Sequence, residues 1–223
     1  MKVLAFDTST ELCSCALLSG DEIEYREKQA GQSHSEVLLP MIDSLLTDAG
    51  LRLASLDAIA FGCGPGSFTG LRIACGVAQG LALGANLPVV AITSLLALAE
   101  GQKARRVVAC VDARMREIYH AAYEREEDEW KCVSPPALCC PDDAPLLAGH
   151  GWSGCGSGFK AHGDVLSRRY AGKLAAIDSE ALPRAGEIVR LAARRFARGE
   201  VTDAADAAPL YLRDKVALKA GER

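Results

Sequence analysis

The sequence has no excess of positive charge, no apolar leader at its start and no cysteine pair in CxxC spacing, and each absence excludes something. Its 25 Lys and Arg face 29 Asp and Glu, leaving a formal net charge of −4. There is thus no overall basic field to draw in nucleic acid, and any RNA contact must be local or supplied by a partner. The opening MKVLAFDTSTE lacks the apolar run and small-residue cleavage site of a secretory signal. Nine cysteines is a high and odd count. With no secretion signal, and with Cys63, Cys75 and Cys110 in apolar segments, they are expected to be reduced thiols acting as small hydrophobes in a cytoplasmic protein. The uncharged run from Ile73 to Ala99 is broken by Gln79, Asn86, Pro88 and several glycines. Pro88 divides it into a helix-like and a strand-like piece, so no transmembrane span is expected.

The 223 residues are 49% hydrophobic and 24% charged, enough to bury one large core or two small ones. The chain repeats one plan twice. Strands at 3–7, 13–18 and 23–29 form a meander with a turn at Ser19-Gly20-Asp21. A helix at 34–49, a strand at 58–62, a helix at 71–85 and a strand at 89–92 follow, then a short helix after Thr93. The second half restarts with strands at 107–112, 117–123 and 130–133. A Pro-rich stretch comes next, then a glycine-rich strand near 151–158 and helices near 161–170 and 185–198. Meanders need only short turns, whereas parallel strands need helical crossovers. The expectation is two α/β lobes, 1–104 and 105–223, with a cleft between them and the last helix and tail packing back on the first lobe. Asp7 and Asp112 then end the first strand of each lobe, where they either look into the cleft or cap a strand.

The glycine-rich run GCGPGSFTGLR, from Gly62 to Arg72, raises the question of a phosphate cradle, because a helix N-terminus presents unpaired N–H groups. It fails each test. A Walker loop needs a lysine after its last glycine, and Leu71 follows Gly70. A GxGxxG pattern has Gly64 and Gly66 but ends on Thr69, and GxSxG fails because Pro65 stands two before Ser67. What remains is a turn at Pro65-Gly66 with Ser67 or Thr69 as helix N-cap. A true GxGxxG at Gly149–Gly154 lacks a helix starting at its last glycine and is taken as close backbone packing.

Ser33 and Glu36 form a capping-box pattern ahead of the apolar positions Leu38, Met41, Ile42, Leu45 and Ala49, with Gly50 as terminator and Pro40 distorting the first turns. His34 opens this helix, but the partner position of an HxxxH metal pair is Leu38. On the next helix Gly76, Gly80 and Gly84 recur at every fourth residue, and no charge follows Arg72. A helix apolar nearly all round needs cover on both sides. Each glycine costs about 1 kcal/mol relative to alanine, so a close backbone approach is expected there, by a partner or by internal packing. Arg190, Arg194, Arg195 and Arg198 are expected on a solvated face.

LAFDTSTELCSCAL, HSEVLLPMI, GPGSFTGLRI, DARMREIY and the C-terminal PLYLR, in this order and at these intervals, resemble the TsaB (YeaZ) family over nearly the whole chain. The resemblance implies a two-lobed actin-like and Hsp70-like ATPase fold. It implies a part in making N6-threonylcarbamoyladenosine beside the anticodon of tRNAs that read codons beginning with A. In that family the related TsaD transfers the threonylcarbamoyl group, the ATPase TsaE joins, and TsaB is the non-catalytic scaffold that meets tRNA through the complex. Leu38 in place of a second histidine, and DARMREIY in place of a glycine-rich phosphate hairpin, support the absence of metal and nucleotide chemistry, leaving Asp7 and Asp112 as vestigial acids. The family's example implies a bundle with TsaD, or a homodimer, through the helices near Ser33 and Thr69. The expected contacts are His34, Met41, Leu45, Arg72, Ile73, Gly76, Val77 and Gly80. The readings set against this are a metal-dependent peptidase and a free-standing actin-like ATPase or kinase.

Overall fold

The computed structural model describes residues 1–213. Strands β1 (Lys2–Asp7), β2 (Leu12–Ser19) and β3 (Glu22–Gln29) form an antiparallel meander whose second turn closes on Gly20 at φ +66°. Helix α1 (His34–Asp48) leads to β4 (Ala58–Gly64), parallel to β1. Helix α2 (Phe68–Ala85) leads to β5 (Val89–Thr93), parallel to β4, and a short α3 (Ser94–Glu100) closes the first lobe. The second lobe repeats the order with β6 (Arg106–Asp112), β7 (Ile118–Glu126), β8 (Glu129–Cys139), β9 (Trp152–Cys155), α4 (Ser157–Arg169), β10 (Leu174–Asp178) and α5 (Ala185–Ala197). The sheets run β3-β2-β1-β4-β5 and β10-β9-β6-β7-β8, the same order read from opposite edges. This is the duplicated two-lobed α/β plan expected from the sequence. Residues 214–223, the end of the expected second lobe, lie outside the described residues.

Side chains alternate along each strand, so one strand serves two cores. Val3 and Ala5 of β1 point to the seam between the lobes, while Leu4 and Phe6 point to the outer layer of the first sheet. The seam side is lined by small residues: Ala5 stands opposite Ala16 on one neighbour and Ala60 on the other. That lets α5 lie close on β1, β2 and β4, while α3 packs on β6 and β7. The outer layer of the first sheet is covered by Leu38, Ile42 and Leu45 of α1 and by Ala74, Ala78 and Ala82 of α2. In the second lobe Trp152, Phe159, Leu166 and Tyr170 fill the corresponding layer.

Several local expectations change. The capping box does not form, since the Ser33 side chain caps nothing and only its carbonyl accepts from the Glu36 N–H. Helix α1 runs unbroken through the exposed Pro40. Gly50, at φ +64°, does terminate it, with Leu51 N–H donating back to Leu46 O. Ser67 caps α2 by accepting from Gly70 N–H at 3.3 Å. The GHGWSG run does lead into a helix, because α4 starts at Ser157 rather than near residue 161. Its Gly154 is a close-packing position, where a Cβ would overlap the Phe159 ring. The expected solvated arginines divide, with Arg190 and the C-cap Arg198 exposed and Arg194 and Arg195 half-buried. Arg194 pairs with Glu100, Arg198 with Glu129, and Arg195 donates to Ala91 O. Cys63, Cys75 and Cys110 are buried free thiols. Helix α2 is long and apolar enough to cross a membrane by length and composition, and one side of it lies in the first-lobe core.

The tail after α5 runs back along the first lobe. Thr202 bridges to Val89, Gln79 Nε2 donates to Ala207 O, and Leu210 N–H donates to Cys63 O at 2.7 Å.

Candidate functional site

Asp7 ends β1, and its Oδ1 accepts from both the N–H (2.9 Å) and the hydroxyl (2.7 Å) of Ser9. Its Oδ2 has no partner among the described residues and lies against Gly62, where a Cβ would overlap it. Ile188 of α5 reaches the same spot. The side chain is completely buried, and that burial pushes the carboxyl up to about 6 against the opposing pull of the Ser9 hydrogen bonds. Asp7 therefore does not look into an open cleft: α5 seals it.

Asp112 ends β6 and remains reachable, with 18% of its side chain exposed. Its Oδ1 accepts from Arg114 N–H at 3.0 Å, its Oδ2 stands 3.2 Å from the Arg114 guanidinium, and His162 Nε2 lies 3.7 Å away. The turn that follows has Arg114, Met115 and Arg116 all in the left-handed region, at φ 62°, 53° and 62°. A phosphate cradle offers free backbone N–H groups. Here Arg114 N–H goes to Asp112, Ala113 N–H to Glu117 O, and Glu117 N–H to Arg114 O. The turn carries no glycine and holds the Asp112 carboxylate against Arg114, and of its N–H groups those of Met115 and Arg116 have no acceptor among the described residues. His34 is buried on α1 and Leu38 lies in the core beside it, so the helix presents no pair of imidazoles. Among the described residues no three His, Cys, Asp or Glu side chains group as metal ligands.

The outer layer of the first lobe presents a different kind of site. Helices α1 and α2 lie side by side on the sheet. Met41 of α1 and Ile73 and Val77 of α2 are half-buried along this layer, with Val37 and Leu81 extending it. Arg72, Gly76 and Gly80 are exposed. A Cβ built on Gly76, Gly80 or Gly84 meets nothing within 4 Å. Internal packing therefore gives no reason for the glycine ridge. His34 and Leu45 do not belong to the open face. Leu38, Ile42 and Leu45 recur at helical spacing on the side turned to β2 and β1, and His34 starts that row.

A family model described as TsaD, tRNA N6-adenosine threonylcarbamoyltransferase, matches residues 24–221. The tRNA threonylcarbamoyladenosine biosynthesis protein TsaB of Escherichia coli is 37% identical over 98% of this chain and 97% of its own length. The chain belongs to the TsaB (YeaZ) family. The TsaB of Haemophilus influenzae is also 37% identical, over 98% of this chain and 96% of its own. A crystal structure from Pseudomonas aeruginosa, of a protein described as similar to the peptidase YeaZ, superposes with a TM-score of 0.88 at 40% identity. It covers 95% of this chain and 99% of that one.

For this TsaB-family chain, sequence reasoning missed the apolar residues at the rims of the open face. Leu83 is 76% exposed at the end of α2, Leu39 is exposed on α1, and Phe68 is exposed at the start of α2. The seven-residue step from Gly76, two helical turns, would have placed Leu83 on the same face. The sealing of Asp7 had no local signal, because α5 lies far along the chain from β1.

Proposed function

We propose that this chain is a non-catalytic subunit in the formation of N6-threonylcarbamoyladenosine beside the anticodon of tRNA. It docks on a TsaD-type enzyme through the open face of α1 and α2, with a TsaE-type ATPase joining the pair, in the cytoplasm. The observation that carries this reading is the glycine ridge of α2, three side-chain-free positions flanked by Ile73 and Val77, where a Cβ would meet nothing among the described residues. Small residues at a four-residue step let another helix approach backbone to backbone, and the apolar flanks supply area to bury. The same face suits a second copy of the chain when the enzyme is absent. The sealed Asp7 and the glycine-free 112–117 turn support a scaffold over an ATPase, and the buried Leu38 supports it over a metallopeptidase.

Light scattering on a sizing column tests this, with the chain alone and mixed with its cognate TsaD. A one-to-one complex is expected, and Gly80→Arg is expected to abolish it while leaving the chain folded. A wild-type chain that ignores TsaD but binds ATP or zinc in calorimetry overturns the reading.

A further inference from the structure

Aromatic rings and arginines gather at one point of the surface, where both lobes and the tail meet. Phe68 opens α2 and Tyr211 lies in the tail, with ring centroids 5.7 Å apart. One turn along α2, the Arg72 guanidinium covers the Phe68 ring at 3.7 Å and its Nε donates to the Tyr211 hydroxyl at 3.1 Å. Two residues further, Arg213 crosses to the second lobe. It donates to Ala113 O at 2.8 Å, stands 2.8 Å from Glu117 and reaches Met115 Sδ at 3.3 Å. Arg213 thus clamps the turn whose three left-handed residues present Arg114, Met115 and Arg116 to solvent.

Left-handed backbone is unfavourable at every residue with a Cβ, and such strain collects where a fold needs an unusual display. What this turn displays is positive charge. Among the described residues the four arginines Arg72, Arg114, Arg116 and Arg213 have two carboxylate partners between them, Asp112 and Glu117, in a chain of net charge −4. Arg116 has no ion-pair partner among the described residues. Around this charge Phe68, Tyr211 and Met115 are 41%, 45% and 55% exposed.

We propose that this patch binds RNA directly, taking an unpaired loop of tRNA. Arg114 and Arg116 hold backbone phosphates, and a splayed base stacks against Tyr211 beside Met115. Exposed rings interleaved with arginine are how single-stranded nucleic acid is held, because every base has a face to stack and every nucleotide a phosphate to neutralise. The acidic remainder of the chain repels RNA, which leaves this local surplus to orient it. A protein partner is the poorer fit, since the tip is charged and its Arg114 and Arg116 belong to the second lobe, while the apolar face of α1 and α2 that Phe68 and Arg72 border belongs to the first. The choice of tRNA rests on the reading that the chain serves tRNA modification. It departs from the expectation that tRNA is met only through the complex.

The test is fluorescence anisotropy of a labelled tRNA anticodon stem-loop with the full chain alone, from about 50 to about 200 mM salt, where phosphate contacts lose strength steeply. Saturable binding is expected at the low end. Arg114→Glu/Arg116→Glu is expected to weaken it about tenfold or more and to flatten the log–log salt slope by about two. Tyr211→Ala is expected to weaken it about tenfold, and Tyr211→Phe to retain it. Unchanged melting temperatures establish that the variants are folded. No binding by the wild type at low salt, or equal binding by the charge-reversed variant, overturns the proposal. So does a charge-reversed variant that binds RNA normally but no longer pairs with TsaD, which would make the patch a protein contact. A wild-type chain that binds RNA through the patch yet never pairs with TsaD upholds the patch and removes the docking reading.

Discussion

The two lobes share a strand order and differ in what lies on top of it. Over the first sheet, α1 and α2 form a layer that leaves Met41, Ile73 and Val77 half-buried beside an uncovered row of glycines. Over the second, α4 stands with the loop from β8 to β9, and Trp152 and Tyr170 are fully buried beneath them. Both lobes bring a helix N-terminus onto the end of the central strand by the same device. In the first, Gly70 in the opening turn of α2 leaves room for Thr8 O; in the second, Gly158 in the opening turn of α4 leaves room for Cys110. The scaffold is duplicated, and the layer above it is not.

The largest expected effects test the shared device. A Cβ on Gly70 would overlap the carbonyl of the buried Thr8, whose hydroxyl also donates to Gly70 O at 2.7 Å. A Cβ on Gly158 would come within 2.8 Å of Cys110 backbone and side chain. Backbone cannot yield as a flexible side chain does. Gly70→Ala and Gly158→Ala are each expected to cost about 3 kcal/mol or more in urea unfolding, at the top of the range for overpacked cores. If one lobe tolerates the methyl group, the equivalence of the two junctions fails.

The next effect sets a buried group of one lobe against a buried group of the other. Burial pushes Asp7 up to about 6 in the first lobe and pushes His120 down to about 4 in the second, where both ring nitrogens lack partners among the described residues. Between pH 4 and 6 the folded chain holds a proton on Asp7 that the unfolded chain has released, so this group removes stability as pH rises. Over nearly the same range the unfolded chain protonates His120 and the folded chain does not, so that group adds stability as pH rises. Each shift corresponds to about 3 kcal/mol. The wild-type stability is therefore expected to be nearly flat in this window. Asp7→Asn is expected to unmask a rise from pH 4 to 6.5, and His120→Leu a fall from pH 4 to 6. Denaturant midpoints at half-unit pH steps check both. Identical profiles for the two variants would show that neither lobe carries the buried charge described.

The architecture was legible because its signals are local. The alternation in β1 to β3, the punctuation at Gly20 and Gly50, and the restart at Val107 depend on neighbours in the chain. The site was legible only in part, because helical spacing gives the step between positions and not the phase of the helix on its sheet. Leu45 and Met41 both fit an apolar row on α1, yet Leu45 is fully buried and Met41 only partly. The sheet decides between them. The fate of Asp7 depends on α5, and the display of Arg114 and Arg116 depends on Arg213, contacts made by residues about a hundred or more positions away. No window along the sequence contains both partners.

The smallest expected effect bears most directly on why the lobes differ. Gly76, Gly80 and Gly84 sit in the body or last turn of α2, where alanine is better than glycine by about 1 kcal/mol. A methyl group at any of them would meet only open space. Gly76→Ala is therefore expected to raise the stability of the isolated chain by about 1 kcal/mol, the opposite sign to Gly70→Ala two turns earlier in the same helix. It is also expected to weaken pairing with TsaD, because a methyl group on the ridge holds the facing helix away. A ridge that lowers stability within the chain must return something outside it. If Gly76→Ala destabilises the chain, the ridge packs internally and the docking face loses its main support. If it stabilises the chain and leaves pairing intact, docking lies elsewhere on the first lobe.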